Sequence, residues 1–402
     1  MLFTLEALKA AYGDALLLHF GDPKAPSLAV IDGGPRGVYP SVLKPRLRQL
    51  MEDKRRLRDG QLPIRLLMVS HIDDDHVNGL LAMANELADM PGKTPYQIES
   101  LWHNSFDDIL GNQGQELAAS VEPFVKNILT TGTMPATTPL KHPHTALVLA
   151  SVKQGRDLRN AATRLGWDVN QEFGTKLIRL PQEGVRTVPI ADGMTFTPLG
   201  PRETNVEALQ AAWDQEIQRM GVAVDAARAA EFADTSVFNL SSLIVLAEMS
   251  GTDGTPRRML LTGDARGDHI IEGLRVAGLM EHGTCHVDLL KLPHHGSDRN
   301  VEQAFFETVT ADHYVISSNG DRFDNPDQQT LAWLAAARKG RGHFTLYLTY
   351  PVSEFKFKRR KNIQQEIQAF IDAGRKNGDY TVVCRAPDAL SVRVDLGEPL
   401  KA

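Results

Sequence analysis

Histidine and aspartate are crowded into one short stretch of this chain: His71, Asp73, Asp75 and His76 fall within six residues. Imidazole and carboxylate together form a donor set suited to zinc, manganese or iron. An apolar run (Ile64, Leu66, Leu67, Met68, Val69) of the length and type of a buried strand leads into them, and a helical pattern begins at Val77. A strand end that points inward holds unpaired charge only at high cost, and a bound dication compensates. Asp75 and His76 fall at the helix N-terminus, and the alternation of His71 and Asp73 sends both side chains to one side of the loop. The competing reading is an acidic turn open to water.

Two further stretches carry the same chemistry. The segment VDLLKLPHHGS (287–297) delivers His294 and His295 at the end of a strand pattern, with Gly296 permitting close backbone approach. The short apolar strand MLLTGD (259–264) ends in Asp264. A Gly-Asp strand end is a weak signal alone.

The stretch SHIDDDH (70–76) resembles the H-x-H-x-D-H signature of the metallo-β-lactamase superfamily, in the variant with Asp in place of the second His. That variant is similar to the hydrolase-like domain of the competence DNA-uptake protein ComEC and its free-standing relatives. Further stations agree in order along nearly the whole chain: GDA (13–15), IDGG (31–34), a strand near 239–246, LLTGD (260–264), LKLPHHGS (290–297) and ISSN (316–319). The resemblance implies an α/β fold, the αββα metallo-β-lactamase sandwich, with two mixed sheets face to face and helices outside. It implies that His71 and Asp73 hold a first metal, that Asp75 and His76 hold a second, and that Asp264 bridges them. Asp75 would also orient the nucleophile. One of His294 and His295 would ligate while the other faces the substrate; His294 is preferred as ligand and His295 as the catalytic partner. Asp32 is either a turn residue or, by the resemblance, the support of a ligand. Many superfamily members carry a third metal-binding histidine before the strand near 244, where this chain has Asp234 and Asn239. The family's Gly-His-Pro is here Asp324-Asn325-Pro326.

The ligands must be positioned by strands at both ends of the chain, with the insertions between. Residues 1–32 read as two or three strands, 42–58 as a basic helix with Pro45 in its first turn, and 77–90 as the helix after the metal turn. Residues 106–173 and 205–233 read as helical insertions, candidates for a lid or pocket wall, in a single domain spanning 1–402. A hairpin is expected at 188–197, turning at Asp192-Gly193. His103 reads as a packing histidine ahead of a ligand, His269 as a surface or packing residue, and His142 and His144 as incidental residues of a loop. The segment EFKFKRRK (354–361) interleaves aromatic and basic residues as a nucleic-acid groove does, but reads first as a charged edge strand. The basic helix likewise reads as a solvated face ahead of a phosphate-binding one.

Composition sets the limits. The 42% hydrophobic and 23% charged residues are ordinary for a globular chain. No apolar run suits a membrane span, and the opening residues lack the basic region of a secretory signal. Cys285 and Cys384 form no C-x-x-C pair, so reduced thiols and a cytoplasmic protein are expected. A net charge of −6 argues against nucleic-acid binding over the whole surface and leaves a local groove open. The expected activity is that of a metal-dependent hydrolase, of a phosphoester by resemblance to phosphodiesterases and nucleases. Two divalent metals, zinc first and manganese or iron next, would polarise the ester and lower the pKa of a bridging water. The substrate class includes nucleotides and nucleic acid. The alternative is a non-catalytic module in which metal stabilises a binding surface.

Overall fold

The computed structural model describes residues 1–105, 143–174, 177–182, 184–204, 206, 242–356 and 360–400, with the backbone alone described for 143–153. Among the described residues it is a mixed α/β structure with three sheets and seven α-helices.

The first sheet has the order β17-β1-β2-β3-β5-β7-β8. Its antiparallel part pairs β17 (Ser391–Asp395) with β1 (Leu2–Leu8), β1 with β2 (Leu16–Asp22), and β2 with β3 (Ala25–Ile31). From β3 it continues in parallel through β5 (Leu66–Met68), β7 (Ser100–Trp102) and β8 (Asp168–Val169). The second sheet has the order β16-β15-β14-β13-β12-β11-β10-β9. Its parallel part comprises β12 (Pro256–Leu261), β13 (Cys285–Lys291), β14 (Val309–Ile316), β15 (Phe344–Leu348) and β16 (Tyr380–Cys384). Its antiparallel part is β9 (Val188–Ala191), β10 (Met194–Gly200) and β11 (Ile244–Ser250), the first two forming the hairpin expected from Asp192-Gly193. Short β4 (Leu62–Ile64) and β6 (Tyr96–Ile98) pair separately.

Alternation along the strands sorts side chains into layers. In β2, Leu16, Leu18 and Phe20 join a core that also takes Phe196 of β10, Met259 and Leu261 of β12 and Leu289 of β13, so the two large sheets meet there. Leu17 of β2 and Val30 of β3 face the opposite way, onto a second core with α1 (Lys44–Glu52), α2 (Asp74–Ala88) and α3 (Pro143–Arg164). The outer face of the second sheet packs on α4 (Gly267–Val276), α5 (Gln303–Thr308), α6 (Gln328–Arg338) and α7 (Ile363–Asn377). The order is therefore helices, sheet, sheet, helices.

Helix α2 illustrates how the sequence dictates this placement. Val77, Leu80, Met83, Ala84 and Leu87 recur at helical spacing and are buried. The helix seats close to the loop after β3, where a Cβ on Gly79 would stand 1.8 Å from the Gly33 carbonyl oxygen. Helix α1 is tied down by its own basic residues. Arg46 donates to the buried carboxylate of Glu6 at 2.8 Å, and Glu6 also accepts from His19 at 2.9 Å.

Several expectations need correction. The basic helix stops at Glu52, and Arg55 and Arg56 lie in a separate 3-10 turn around Asp53. The segment 354–361 is no edge strand in its described residues: a 3-10 turn (Val352–Glu354) leads to the buried Phe355. Phe355 and Lys356 belong to no sheet ladder, and the Phe355 ring goes inward from a loop. His144 stands in the first turn of α3 rather than in a loop, because Pro143 is compatible with a first helical position. Residues 106–142 of the first helical insertion, with His142, nearly all of the 205–233 insertion, Asp234 and Asn239 lie outside the described residues. No helix among the described residues is long and apolar enough to cross a membrane. Cys285 and Cys384 are both free thiols.

Candidate metal centre

The ends of β3, β5, β12, β13 and β14 and the loop before β2 converge at one edge of the paired sheets. They bring Asp32, His71 to His76, Asp264, His294 and His295, Ser317, and Asp14 together. Helix α2 begins with Asp74 and Asp75 in its first turn, where carboxylates are favoured by the helix dipole. Asp73 occupies the N-cap position but makes no capping bond; its Oδ2 lies 3.1 Å from His71 Nε2. After β13, His294, His295 and Gly296 all adopt left-handed backbone, with φ of 48°, 55° and 83°. Such residues cost of order 1 kcal/mol or more each when not glycine and collect at functional sites. A Cβ at Gly296 would meet Pro326 Cβ at 2.9 Å, so glycine is required there on two counts.

Each of the four histidines has its Nδ1 engaged and its Nε2 facing the others' acids. His76 Nδ1 lies 3.0 Å from Asp32 Oδ2, and Asp32 in turn accepts from the Ser70 amide at 2.7 Å. His295 Nδ1 donates to the Ser317 carbonyl at 2.9 Å. His294 Nδ1 lies 2.5 Å from Asn300 Oδ1, and Asn300 donates to the Asp264 carbonyl at 2.9 Å. His71 Nδ1 is 3.2 Å from Ser242 Oγ. On the inward side, His76 Nε2 is 3.2 Å from Asp264 Oδ1 and 3.9 Å from Asp75 Oδ1. His295 Nε2 is 3.5 Å from Asp75 Oδ2 and 3.6 Å from Asp264 Oδ1. His294 Nε2 is 3.6 Å from Asp264 Oδ2. Fixing Nδ1–H by a neighbour sets the tautomer that presents Nε2 as a ligand.

The donor set fits metal. His76 Nε2, His295 Nε2 and Asp264 Oδ1 are buried and make no hydrogen bond, an arrangement that is costly unless something else binds them. Asp14, Asp32, Asp73, Asp75 and Asp264 face a single ammonium, that of Lys291, 2.7 Å from Asp14 Oδ2. With neutral imidazoles this leaves four negative charges, which two divalent cations would balance. With no metal bound, the acids and histidines of the cluster hold each other's charge instead. Burial alone would raise the Asp264 carboxyl, but His76, His294 and His295 hold it well below the usual range. Burial would lower His295, yet Asp264 and Asp14 push it up to about 10.

Asp14, His76, Asp264 and His295 bring ligand-type atoms within 4.8 Å of one another. Asp14 nevertheless sits behind the histidines. Its Oδ1 faces His295 Nδ1 at 3.4 Å and its Oδ2 is paired with Lys291, whereas Asp75 approaches on the Nε2 side. We therefore assign Asp75, not Asp14, to the inner set.

All seven residues singled out from the sequence meet here: His71, Asp73, Asp75, His76, Asp264, His294 and His295. The order expected within the histidine pair is reversed in burial. His295 is fully buried in the cluster, while His294 is 24% exposed at its rim. His103 is buried and lies 3.1 Å from the Gly155 carbonyl of α3, away from the inner set. Asp14, Lys291, Ser242 and Asn300 were missed. The first two stood inside recognised motifs, and a role for them could have been asked of buried charge; a lone serine or asparagine leaves no spacing signal. No protein-family model matches the chain, and no curated protein matches it.

Proposed function

We propose that this chain is a metal-dependent hydrolase of a phosphoester, built on the metallo-β-lactamase sandwich that its layer order and its ligand stations resemble. The observation that carries the reading is the convergence of the His76, His294 and His295 Nε2 atoms, each with Nδ1 tied, on Asp75 and Asp264, with His71 Nε2 beside Asp73. His71, Asp73 and Asp264 would hold one divalent ion, and Asp75, His76, Asp264 and His295 the second, zinc being the first choice. When bound, such a pair polarises a phosphoryl oxygen and makes water nucleophilic near neutral pH.

The chain's own residues supply the rest. Asp75, at the start of α2, is placed to accept a proton from the attacking water and hold it in line. His294, partly exposed and with Nδ1 on Asn300, turns Nε2 to the rim, where its lone pair can take up a proton and pass it to the leaving oxygen. The buried Asp14–Lys291 pair braces His295 from behind. We favour a compact substrate over a long nucleic acid, since several of the described basic residues in both segments are paired with acids. Lys44 pairs with Glu86, Arg46 with Glu6, Lys356 with Asp321, and Arg360 with Asp327 and Glu366.

Elemental analysis of gently purified protein, with turnover of generic phosphodiesters, tests the proposal. Up to two transition metals per chain are expected, and Asp264→Ala and Asp75→Ala should each lower turnover ~100-fold or more while the protein stays folded. A folded variant of either kind with wild-type turnover would sink the mechanism; a protein that takes up no zinc or manganese would sink the site.

A further inference from the structure

Beside the metal centre stands a second group of different composition. The Arg322 guanidinium carbon lies 5.1 Å from the ring centroid of Tyr12 and 5.1 Å from that of Phe323. The two rings meet edge to face at 6.2 Å. Tyr12 donates its hydroxyl to Asp74 Oδ2 at 3.2 Å, and an Arg322 nitrogen is 3.8 Å from the same oxygen. Asp74 is held further by Asn78 and Gln154. Burial and the Asp74 charge push the Tyr12 hydroxyl up to about 12, so it stays a donor.

Phe323 is 37% exposed, one of three large apolar side chains so exposed among the described residues. Single exposed apolar residues are ordinary. This one is set apart by its place: its ring meets that of His294 at 6.5 Å, and His294 Nε2 is 3.6 Å from Asp264. The exposed ring therefore stands one imidazole away from the metal ligands.

We propose that Tyr12, Arg322 and Phe323 form a recognition platform for one nucleotide unit of the substrate, the guanidinium taking phosphate oxygens and the Phe323 face turned away from the guanidinium taking the base. This rests on the phosphoester reading above and narrows it. A planar guanidinium suits phosphate geometry, and stacking on two rings with one carboxylate behind pre-orients it. The pair with Asp74 is long, which leaves N–H donors for a second anion. An aromatic face stacks any base. The platform is a single arginine and a single exposed ring, the size of one nucleotide.

Calorimetric binding of thymidine 5′-monophosphate and methyl phosphate to the purified protein separates base from phosphate, since both ligands carry the same charged group. The nucleotide should bind about tenfold tighter, within the range of base–aromatic stacking. Phe323→Leu should bring the two affinities together, and Arg322→Gln should weaken both. Equal affinities in the wild type, or an undiminished preference in Phe323→Leu, would overturn the platform. Loss of the platform with phosphodiester turnover intact leaves the hydrolase standing. A nucleotide preference in a metal-loaded protein that turns over no ester keeps the platform and removes the hydrolase.

Discussion

Asp32 touches no inward-facing atom of the centre, yet it governs His76. Its left-handed backbone, with φ of 58°, lets one carboxylate reach the Ser70 amide and His76 Nδ1 together. Asparagine tolerates that backbone, so Asp32→Asn should fold normally while losing the charged acceptor that makes His76 a strong donor. Metal affinity should fall ~10- to 100-fold, read by competition with a chelator. The histidine pair separates by the same logic. His295→Gln should lose metal; His294→Gln should keep more of it and lose turnover, checked by metal content and kcat on one preparation. Equal metal loss in both would return His294 to the ligand set. These roles were only partly legible in the sequence. Type and spacing singled out the acids and imidazoles, but whether His294 or His295 points inward depends on three consecutive left-handed residues, which adjacent histidines do not announce.

Helix α2 is the element on which the first ligand cluster rides. Its position depends on the near contact of Gly79 with Gly33, and Gly79→Ala would drive a methyl against the Gly33 carbonyl. The helix would have to shift and take Asp75 and His76 with it. A loss of about 1–3 kcal/mol in denaturant unfolding is expected, together with weakened metal binding. Unchanged stability and affinity would show that α2 seats less tightly than described. Elements of strong periodicity were readable beforehand: the strand before His71, the helix after it and the 188–197 hairpin stand where hydrophobic pattern and turn chemistry put them. The stretch 354–361 differs from the expected strand in its described residues, where the Phe355 ring is buried and Lys356 and Arg360 form ion pairs.

At the scale of the molecule, the centre is a seam. His71, Asp75 and His76 follow a strand of the first sheet, and Asp264, His294 and His295 follow strands of the second. Bound metal would therefore cross-link the two sheets across a long stretch of chain. Chelation should lower the thermal midpoint, by the equivalent of about 4 kcal/mol if free metal had stood at a thousand times its Kd. Re-adding zinc should restore it, and a midpoint indifferent to chelator would place the metal outside the folding equilibrium. The mixed α/β class was legible from alternating strand and helix patterns; the pairing of the first and last strands was not, since nothing in either segment names its partner. That pairing has a mechanical consequence. β17 lies at the edge of its sheet, antiparallel to β1, with Thr4 opposite Asp395 and the Met1 amine on Glu398. Tension applied at residues 1 and 398 thus loads one end of the ladder and peels β17 off bond by bond, instead of shearing all its bonds at once. Val392 and Val394, which close the core between the sheets, would leave with it. Under load, the molecule would open first along that edge.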